Sequence, residues 1–178
     1  MTANFSCWSR LRRLAGLLAL LGSGAWAQGF DVQPWPSRMP VPALQASDLT
    51  GKVWRLADLR GKAVLINFWA SWCEPCRAEM PSLQALAQRQ GPQKLVVLAV
   101  NFKESATAAT QFAQRSGLTL PVLLDPQGTI ARQWGVRIFP STVLVGSDGR
   151  VRAVVRGGLD WGGADAAALW EPLLETSR

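Results

Sequence analysis

The feature that most constrains this sequence is a pair of cysteines at the junction of two regular patterns. Cys73 and Cys76 are separated by Glu74 and Pro75, and they follow a continuous apolar run, AVLINFWA, over residues 63–70. After the pair, apolar residues recur at helical spacing over Glu74–Gln90, and Gly91-Pro92 ends the pattern. The pattern predicts a strand buried on both faces, a turn that carries the thiols, and a helix that begins there.

The predicted helix start places the two thiols in different environments. At a spacing of three residues they lie on one side of the helix, with Cα atoms within the roughly 4.4–6.8 Å that a disulfide needs. Pro75 suits the first helical turn, where a missing N–H costs nothing. The helix terminus favours a thiolate at Cys73, and lowering a thiol pKa from about 8.5 toward 7 is worth about 2 kcal/mol. Cys76, one turn further in, is placed to resolve a mixed disulfide.

Two other roles for the cysteine pair are weaker. A structural disulfide that closes so short a loop would constrain the unfolded chain little. A zinc site needs four ligands, but the chain has no histidine and its third cysteine, Cys7, lies near the start. We therefore favour a redox centre and expect no metal. The lack of histidine also excludes Cys-His nucleophiles and Cys-x-x-Cys-His haem attachment.

The first 27 residues have the pattern of a secretory signal peptide. Three arginines precede a short apolar segment, LAGLLALL, and Ala-Trp-Ala at 25–27 provides small residues for cleavage before Gln28. The apolar segment is shorter than the roughly 20 residues that span a bilayer. We predict cleavage and a periplasmic protein, in a compartment where disulfides persist. The alternative is an uncleaved leader that tethers the protein to the membrane, facing the periplasm.

The remainder reads as a linker followed by one domain. Residues 28–42 contain four prolines and are predicted to be an extended linker, and residues 43–178 are predicted to fold together. The predicted order is hairpin, β, α, β, α, β, short α, β, β, α. Strands that alternate with helices imply a parallel core sheet, and the late hairpin adds an antiparallel edge. The basic residues are scattered, so we expect no nucleic-acid partner.

The motif VLINFWASWCEPCRAEMP, followed much later by IFPST, resembles the thioredoxin fold. It is most similar to the periplasmic or membrane-associated thiol–disulfide reductases of the TlpA/ResA type, relatives of the cytochrome c maturation reductases. The resemblance implies an α/β fold with a central mixed sheet flanked by helices, an N-terminal β-hairpin and an extra αβ insertion. It also implies a disulfide reductase with Cys73 as nucleophile, Cys76 as resolving thiol, and a cis peptide before Pro140 that faces the disulfide.

Residues beside these positions are candidates for substrate contact. The sequence alone leaves the bond before Pro140 open between cis and trans, but a proline there frees neighbouring backbone to pair with an extended substrate. Trp72 is adjacent to the first cysteine and is expected to form an apolar docking surface, with core packing as the alternative. The predicted substrate-binding residues are Trp72, Glu74, Pro75 and Phe139.

One position departs from the thioredoxin pattern. Thioredoxin has a buried aspartate where this chain has Asn67, which cannot accept a proton, and the TlpA/ResA branch commonly has asparagine there. That branch also has a glutamate three residues after the second cysteine, here Glu79. At this spacing Glu79 faces the same side of the helix as Cys76, so its carboxylate could take the resolving thiol's proton. The alternative is an ordinary solvated glutamate.

The predicted function is reduction of disulfides in exported proteins through Cys73 and Cys76, in cytochrome c maturation or oxidase assembly. Without a nicotinamide or flavin motif, no cofactor is expected, and a membrane thiol donor would supply electrons. A histidine-free Glu-Pro dipeptide between the cysteines favours a reducing couple. The alternatives are a thiol oxidase or isomerase on the same fold, and a non-catalytic module that binds thiols or metal.

Overall fold

A six-stranded mixed sheet forms the centre of the computed structural model, which describes residues 29–175. In chain order the strands are β1 (Phe30–Pro34), β2 (Gln45–Ser47), β3 (Val53–Arg55), β4 (Ala63–Trp69), β5 (Leu95–Phe102), β6 (Val122–Asp125), β7 (Ser141–Val145) and β8 (Val151–Gly157). The order across the sheet is β1-β8-β7-β4-β5-β6, and β2 pairs with β3 in a separate hairpin. Strands β4, β5 and β6 are parallel, whereas β7, β8 and β1 add antiparallel pairs. The predicted thioredoxin-like α/β architecture is confirmed.

Four α-helices accompany the sheet. They are α1 (Glu74–Gln90), α2 (Ala106–Ser116), α3 (Thr129–Gln133) and α4 (Ala164–Trp170), with short 3-10 helices at Leu56–Leu59 and Glu171–Leu174. Helix α1 ends at Gly91, whose positive φ of 75° favours glycine and whose N–H donates to the carbonyl of Ala87. The sequence predicts a closing helix over Ala164–Leu174, but α4 tightens into a 3-10 turn after Trp170, close to Pro172.

Strand β4 supplies side chains to two cores, because alternate residues of a strand point to opposite faces. Leu65 and Trp69 lie in the cluster that includes Leu83 of helix α1. Ile66 and Phe68 belong to a second cluster on the other face. All seven residues of β4 are buried, so the apolar run of the sequence is a central strand, as predicted. The strand thereby fixes the position of the cysteines at its carboxyl end.

The linker predicted for residues 28–42 is wrong over part of its length. Phe30–Pro34 is strand β1, which pairs antiparallel with β8 and forms the sheet edge that the late hairpin was expected to form. The prolines of this segment suggested a linker and not a strand. Pro34 is compatible with β1 because it ends an edge strand, where its missing N–H is tolerated. Residues 35–42 are neither helix nor strand. The predicted signal peptide, residues 1–27, lies outside the described residues. Within 29–175, no helix is both long and apolar enough to cross a membrane.

Candidate active site

The two cysteines form a disulfide where β4 meets α1. Cys73 is the N-cap of the helix and Cys76 lies in its first turn, with a Cα–Cα distance of 5.3 Å. Cys73 retains 6% of its surface and Cys76 none. The free N–H groups of the first turn lie beside Cys73, where they can stabilise a thiolate. The two cysteines therefore differ in exposure, because Cys73 keeps a small exposed area and Cys76 is fully shielded.

Glu79 is buried beneath this first turn, with 4% of its surface exposed. Its Oε1 accepts from Asn67 Nδ2 at 2.7 Å, and its Oε2 accepts from Leu159 N–H and Trp161 Nε1–H, each at 3.3 Å. Burial raises the pKa of Glu79 to about 7, although the hydrogen bonds from Asn67, Leu159 and Trp161 favour the ionised form. The alternative of a solvated helix glutamate is therefore wrong, and this carboxyl can exchange a proton near neutral pH.

Asn67 links Glu79 to the segment that follows Pro140. The same Nδ2 that donates to Glu79 also donates to Thr142 Oγ1 at 2.9 Å. The Oδ1 atom of Asn67 is buried and has no hydrogen-bond partner among the described residues. The amide of Asn67 cannot accept a proton, so Glu79 is the member of this network that can.

A loop after β8 closes the space around Glu79. Leu159 N–H and Trp161 Nε1–H, which donate to Glu79, both belong to this loop. The backbone N–H of Trp161 also donates to Ser82 Oγ at 3.1 Å. Gly158 lies close to Pro75. A Cβ added at Gly158 would be 3.4 Å from the Cβ of Pro75. Sequence reasoning missed this loop, since backbone donors carry no residue signature. Trp161, an aromatic residue shortly after β8, was the sequence signal that could have indicated this loop.

The peptide bond between Phe139 and Pro140 is cis, as the family resemblance implied. The carbonyl of Pro140 accepts from Gly157 N–H at 2.9 Å, which ties this turn to β8. Phe139 is half-buried, and its ring meets that of Trp72 edge-on with centroids 6.3 Å apart. The structure thus brings together two of the predicted substrate-binding residues.

Trp72 is 63% exposed, so the alternative that it packs in the core is wrong. Glu74 and Pro75 are also exposed, and Glu74 forms an ion pair with Arg77 on the same helix. An exposed tryptophan next to a redox cysteine provides apolar area for docking a partner. The candidate site therefore combines a solvent-facing rim with a buried proton-exchanging carboxyl.

Read from the sequence alone, Lys103 and Glu104 form a solvated loop, but for Glu104 the structure shows that this interpretation is wrong. It is half-buried after β5, and its carboxylate binds the backbone N–H of Ser71, two residues before Cys73, at 2.7 Å. The strand register explains the contact, because Trp69 and Asn101 are neighbours on parallel strands β4 and β5. Residues shortly beyond these strand ends meet at the same sheet edge. Among residues 29–175, no cluster of three or more acidic, cysteine or histidine side chains could hold a metal ion.

Comparisons with known proteins agree with this geometry. Residues 38–154 match the AhpC/TSA family. The thiol-disulfide oxidoreductase ResA of Geobacillus thermodenitrificans is 37% identical over 142 residues, covering 79% of this chain and 82% of that protein. The thioredoxin-like protein YneN of Bacillus subtilis is 38% identical over 117 residues, covering 64% and 68%.

Solved structures give the same result. The exposed lipoprotein thioredoxin Etrx1 of Streptococcus pneumoniae superposes with a TM-score of 0.61 at 31% identity, covering 76% of this chain and 100% of that one. A DsbF homologue from Corynebacterium diphtheriae gives 0.64 at 28% identity, covering 76% and 88%. The fold and the Cys-x-x-Cys site thus define a thiol–disulfide oxidoreductase of the thioredoxin superfamily. More narrowly, the chain belongs to the AhpC/TSA family and is a ResA-like thiol–disulfide oxidoreductase.

Proposed function

We propose that this protein reduces disulfides of exported proteins in the periplasm, where a membrane thiol donor keeps it reduced. The observation that carries the proposal is the placement of Glu79, a buried carboxyl with a pKa of about 7, three residues after Cys76. A carboxyl that ionises near neutral pH suits a reductant whose resolving thiol must lose a proton.

The reaction begins with the reduced dithiol. The Cys73 thiolate attacks one sulfur of the substrate disulfide, forming a mixed disulfide, and the other substrate sulfur leaves as a thiolate that takes up a proton. The Cys76 thiol then gives its proton to the Glu79 carboxylate and attacks the Cys73 sulfur. The second substrate sulfur leaves as a thiolate and takes up a proton, two electrons have passed to the substrate, and the enzyme is left with the Cys73–Cys76 disulfide.

Glu79 is assigned as the proton acceptor because Asn67, the buried side chain hydrogen-bonded to it, is an amide and cannot take up a proton. Asn67 Nδ2 holds one carboxylate oxygen, and Trp161 and Leu159 hold the other. These donors orient the carboxyl and favour its ionised form, while burial opposes ionisation. The balance keeps both protonation states accessible near pH 7, so the group can accept a proton in one step and release it in the next.

Substrate contact is assigned to the rim of the site. Trp72 is exposed, Phe139 is half-buried, and their rings meet edge-on. The cis-proline segment at Pro140 offers backbone with which an extended chain can pair. Glu74 and Pro75 complete the rim between the two cysteines. An extended segment of an unfolded exported protein, such as a cytochrome c precursor with its cysteine pair oxidised, fits this combination of apolar and backbone contacts.

Redox trapping in cells tests compartment, direction and donor together. Cells that express the full chain are quenched with acid, and free thiols are alkylated with a reagent that shifts mobility on a gel. We expect the protein in the periplasmic fraction with both thiols alkylated, and an oxidised form after loss of the membrane thiol donor. The Cys73→Ser/Cys76→Ser double variant provides the reference that lacks the shifts from these two thiols. A protein found oxidised in donor-proficient cells, or in the cytoplasm, would contradict the proposal.

A further inference from the structure

The 102–104 loop, formed by the last residue of β5 and the two residues after it, contacts both segments that flank the disulfide. Through Phe102 it packs against Phe139, with ring centroids 4.5 Å apart. Through Glu104 it binds Ser71. One loop therefore joins the turn before the first cysteine to the segment before the cis-proline. Neither contact belongs to the proton-transfer network around the buried glutamate.

Glu104 makes three hydrogen bonds with one carboxylate. Oε2 accepts from the backbone N–H of Ser71 and from Asn101 Nδ2, each at 2.7 Å. Oε1 accepts from the hydroxyl of Ser71. Asn101 is completely buried, so it fixes Glu104 to the sheet. The turn that leads to Cys73 is consequently held to the end of β5 by three hydrogen bonds to one side chain.

The backbone of the 102–104 loop is itself held in an uncommon conformation. Lys103 has a φ of 54°, in the left-handed region that residues other than glycine seldom adopt. Its N–H donates to the carbonyl of Asp125 at 3.0 Å. Gly128 leaves room for the loop, since a Cβ there would be 2.7 Å from a ring carbon of Phe102. Neighbouring contacts thus impose the turn that directs Glu104 toward Ser71.

We propose that Glu104 is a positioning residue for reactions with protein disulfides. By holding the backbone of Ser71 it holds the adjacent Trp72, while Phe102 of the same loop supports Phe139, and the two aromatic residues stay aligned for a docking polypeptide. The inference rests on the proposed function in one respect, that the substrates are polypeptide disulfides. A small disulfide needs only access to the Cys73 sulfur, so its reduction does not depend on this alignment.

Two substitutions separate hydrogen bonding from charge. Glu104→Ala removes all three bonds. Glu104→Gln removes the charge but can keep the geometry: its carbonyl oxygen can accept from Ser71 N–H and Asn101, and its amide can donate to the Ser71 hydroxyl. Glu171→Ala, which removes an exposed glutamate of the closing 3-10 helix, is the matched control.

The assay compares two oxidants against the same pre-reduced full-length protein. Stopped-flow fluorescence measures the second-order rate constants for a synthetic peptide that contains a Cys-x-x-Cys disulfide and for the small disulfide DTNB. We expect Glu104→Ala to slow the peptide reaction about tenfold or more and to change the DTNB reaction by less than about twofold. Glu104→Gln and Glu171→Ala should retain the wild-type ratio of the two rate constants.

Several results would overturn the inference. For Glu104→Ala, these are an unchanged rate with the peptide and equal slowing with both oxidants. For Glu104→Gln, it is a peptide rate as slow as that of the alanine variant, which would indicate a role for charge. If Glu104→Ala fails to fold, Ser71→Ala takes its place, because it removes only the hydroxyl bond. A selective loss of peptide rate then supports the inference and an unchanged ratio refutes it. A wild-type protein that reduces DTNB but no peptide would refute the proposed function, and the inference with it.

Discussion

Replacing Glu79 by glutamine should change both the pH dependence of stability and the rate of disulfide exchange. The folded pKa of about 7 lies above the ordinary value of 4.5, because burial disfavours the carboxylate. Between these values the folded state binds more protons than the unfolded state, so stability falls as pH rises. The whole shift corresponds to about 3 kcal/mol of unfolding free energy, lost between roughly pH 4 and pH 8.

Glu79→Gln removes this titration. Relative to the wild type, the oxidised variant should therefore be about 3 kcal/mol more stable at pH 8 than at pH 4, whatever constant difference the amide introduces. The amide cannot accept the Cys76 proton, and general-base assistance is typically worth roughly 10²–10⁴-fold, so peptide reduction at pH 7 should slow by about 10²-fold. Loss of the nearby negative charge should also shift the alkylation of the reduced thiols to lower pH.

Denaturant unfolding from pH 4 to pH 8 and peptide reduction from pH 5 to pH 9 give the two measurements. Glu171→Gln is the control, because it removes an exposed glutamate carboxylate from outside the site. A stability difference that does not change with pH would show that Glu79 does not titrate near neutrality. Wild-type rates with an unchanged alkylation profile would show that Glu79 takes no part in proton transfer.

Two further substitutions address the sulfur chemistry and the docking surface. Cys73→Ser should abolish mixed-disulfide formation, whereas Cys76→Ser should accumulate a covalent complex with an oxidised peptide, seen by mass spectrometry and cleaved by dithiothreitol. Normal turnover by Cys76→Ser with a dithiol donor would contradict the two-cysteine mechanism. Trp72→Ala should raise the KM for a peptide disulfide about tenfold with little effect on kcat or thermal stability, since this side chain is largely exposed. A fall in kcat alone would instead place Trp72 in the chemical step.

Local patterns in the sequence predicted much of the fold because the decisive elements have strong local signals. The apolar run before Cys73 has the length of a buried strand and forms one, and the predicted helix from Glu74 to Gln90 has the observed bounds. Proline in the first turn and Gly91 at the end supplied its boundaries. The positions of both cysteines followed from these limits, so the centre of the candidate site could be predicted.

What the sequence did not reveal depends on contacts between distant segments. Strand β1 exists because it pairs with β8, more than 100 residues later, and its prolines suggest a linker when read alone. Glu104 reads as a loop residue until the register of β4 and β5 brings it to Ser71. Helical spacing indicated the direction in which Glu79 points. Its burial, however, depends on the loop that carries Leu159 and Trp161.

The reduction potential of the Cys73–Cys76 couple tests the central claim most directly. The exposed Glu74 and Pro75 between the cysteines, without histidine, and the buried Glu79 carboxyl all disfavour a strongly stabilised thiolate. Equilibration of the full chain in glutathione and dithiothreitol buffers, read by alkylation and mass spectrometry, gives the value. The account predicts a potential near that of thioredoxin, about −270 mV, whereas a value above about −180 mV would indicate an oxidase or isomerase and contradict it.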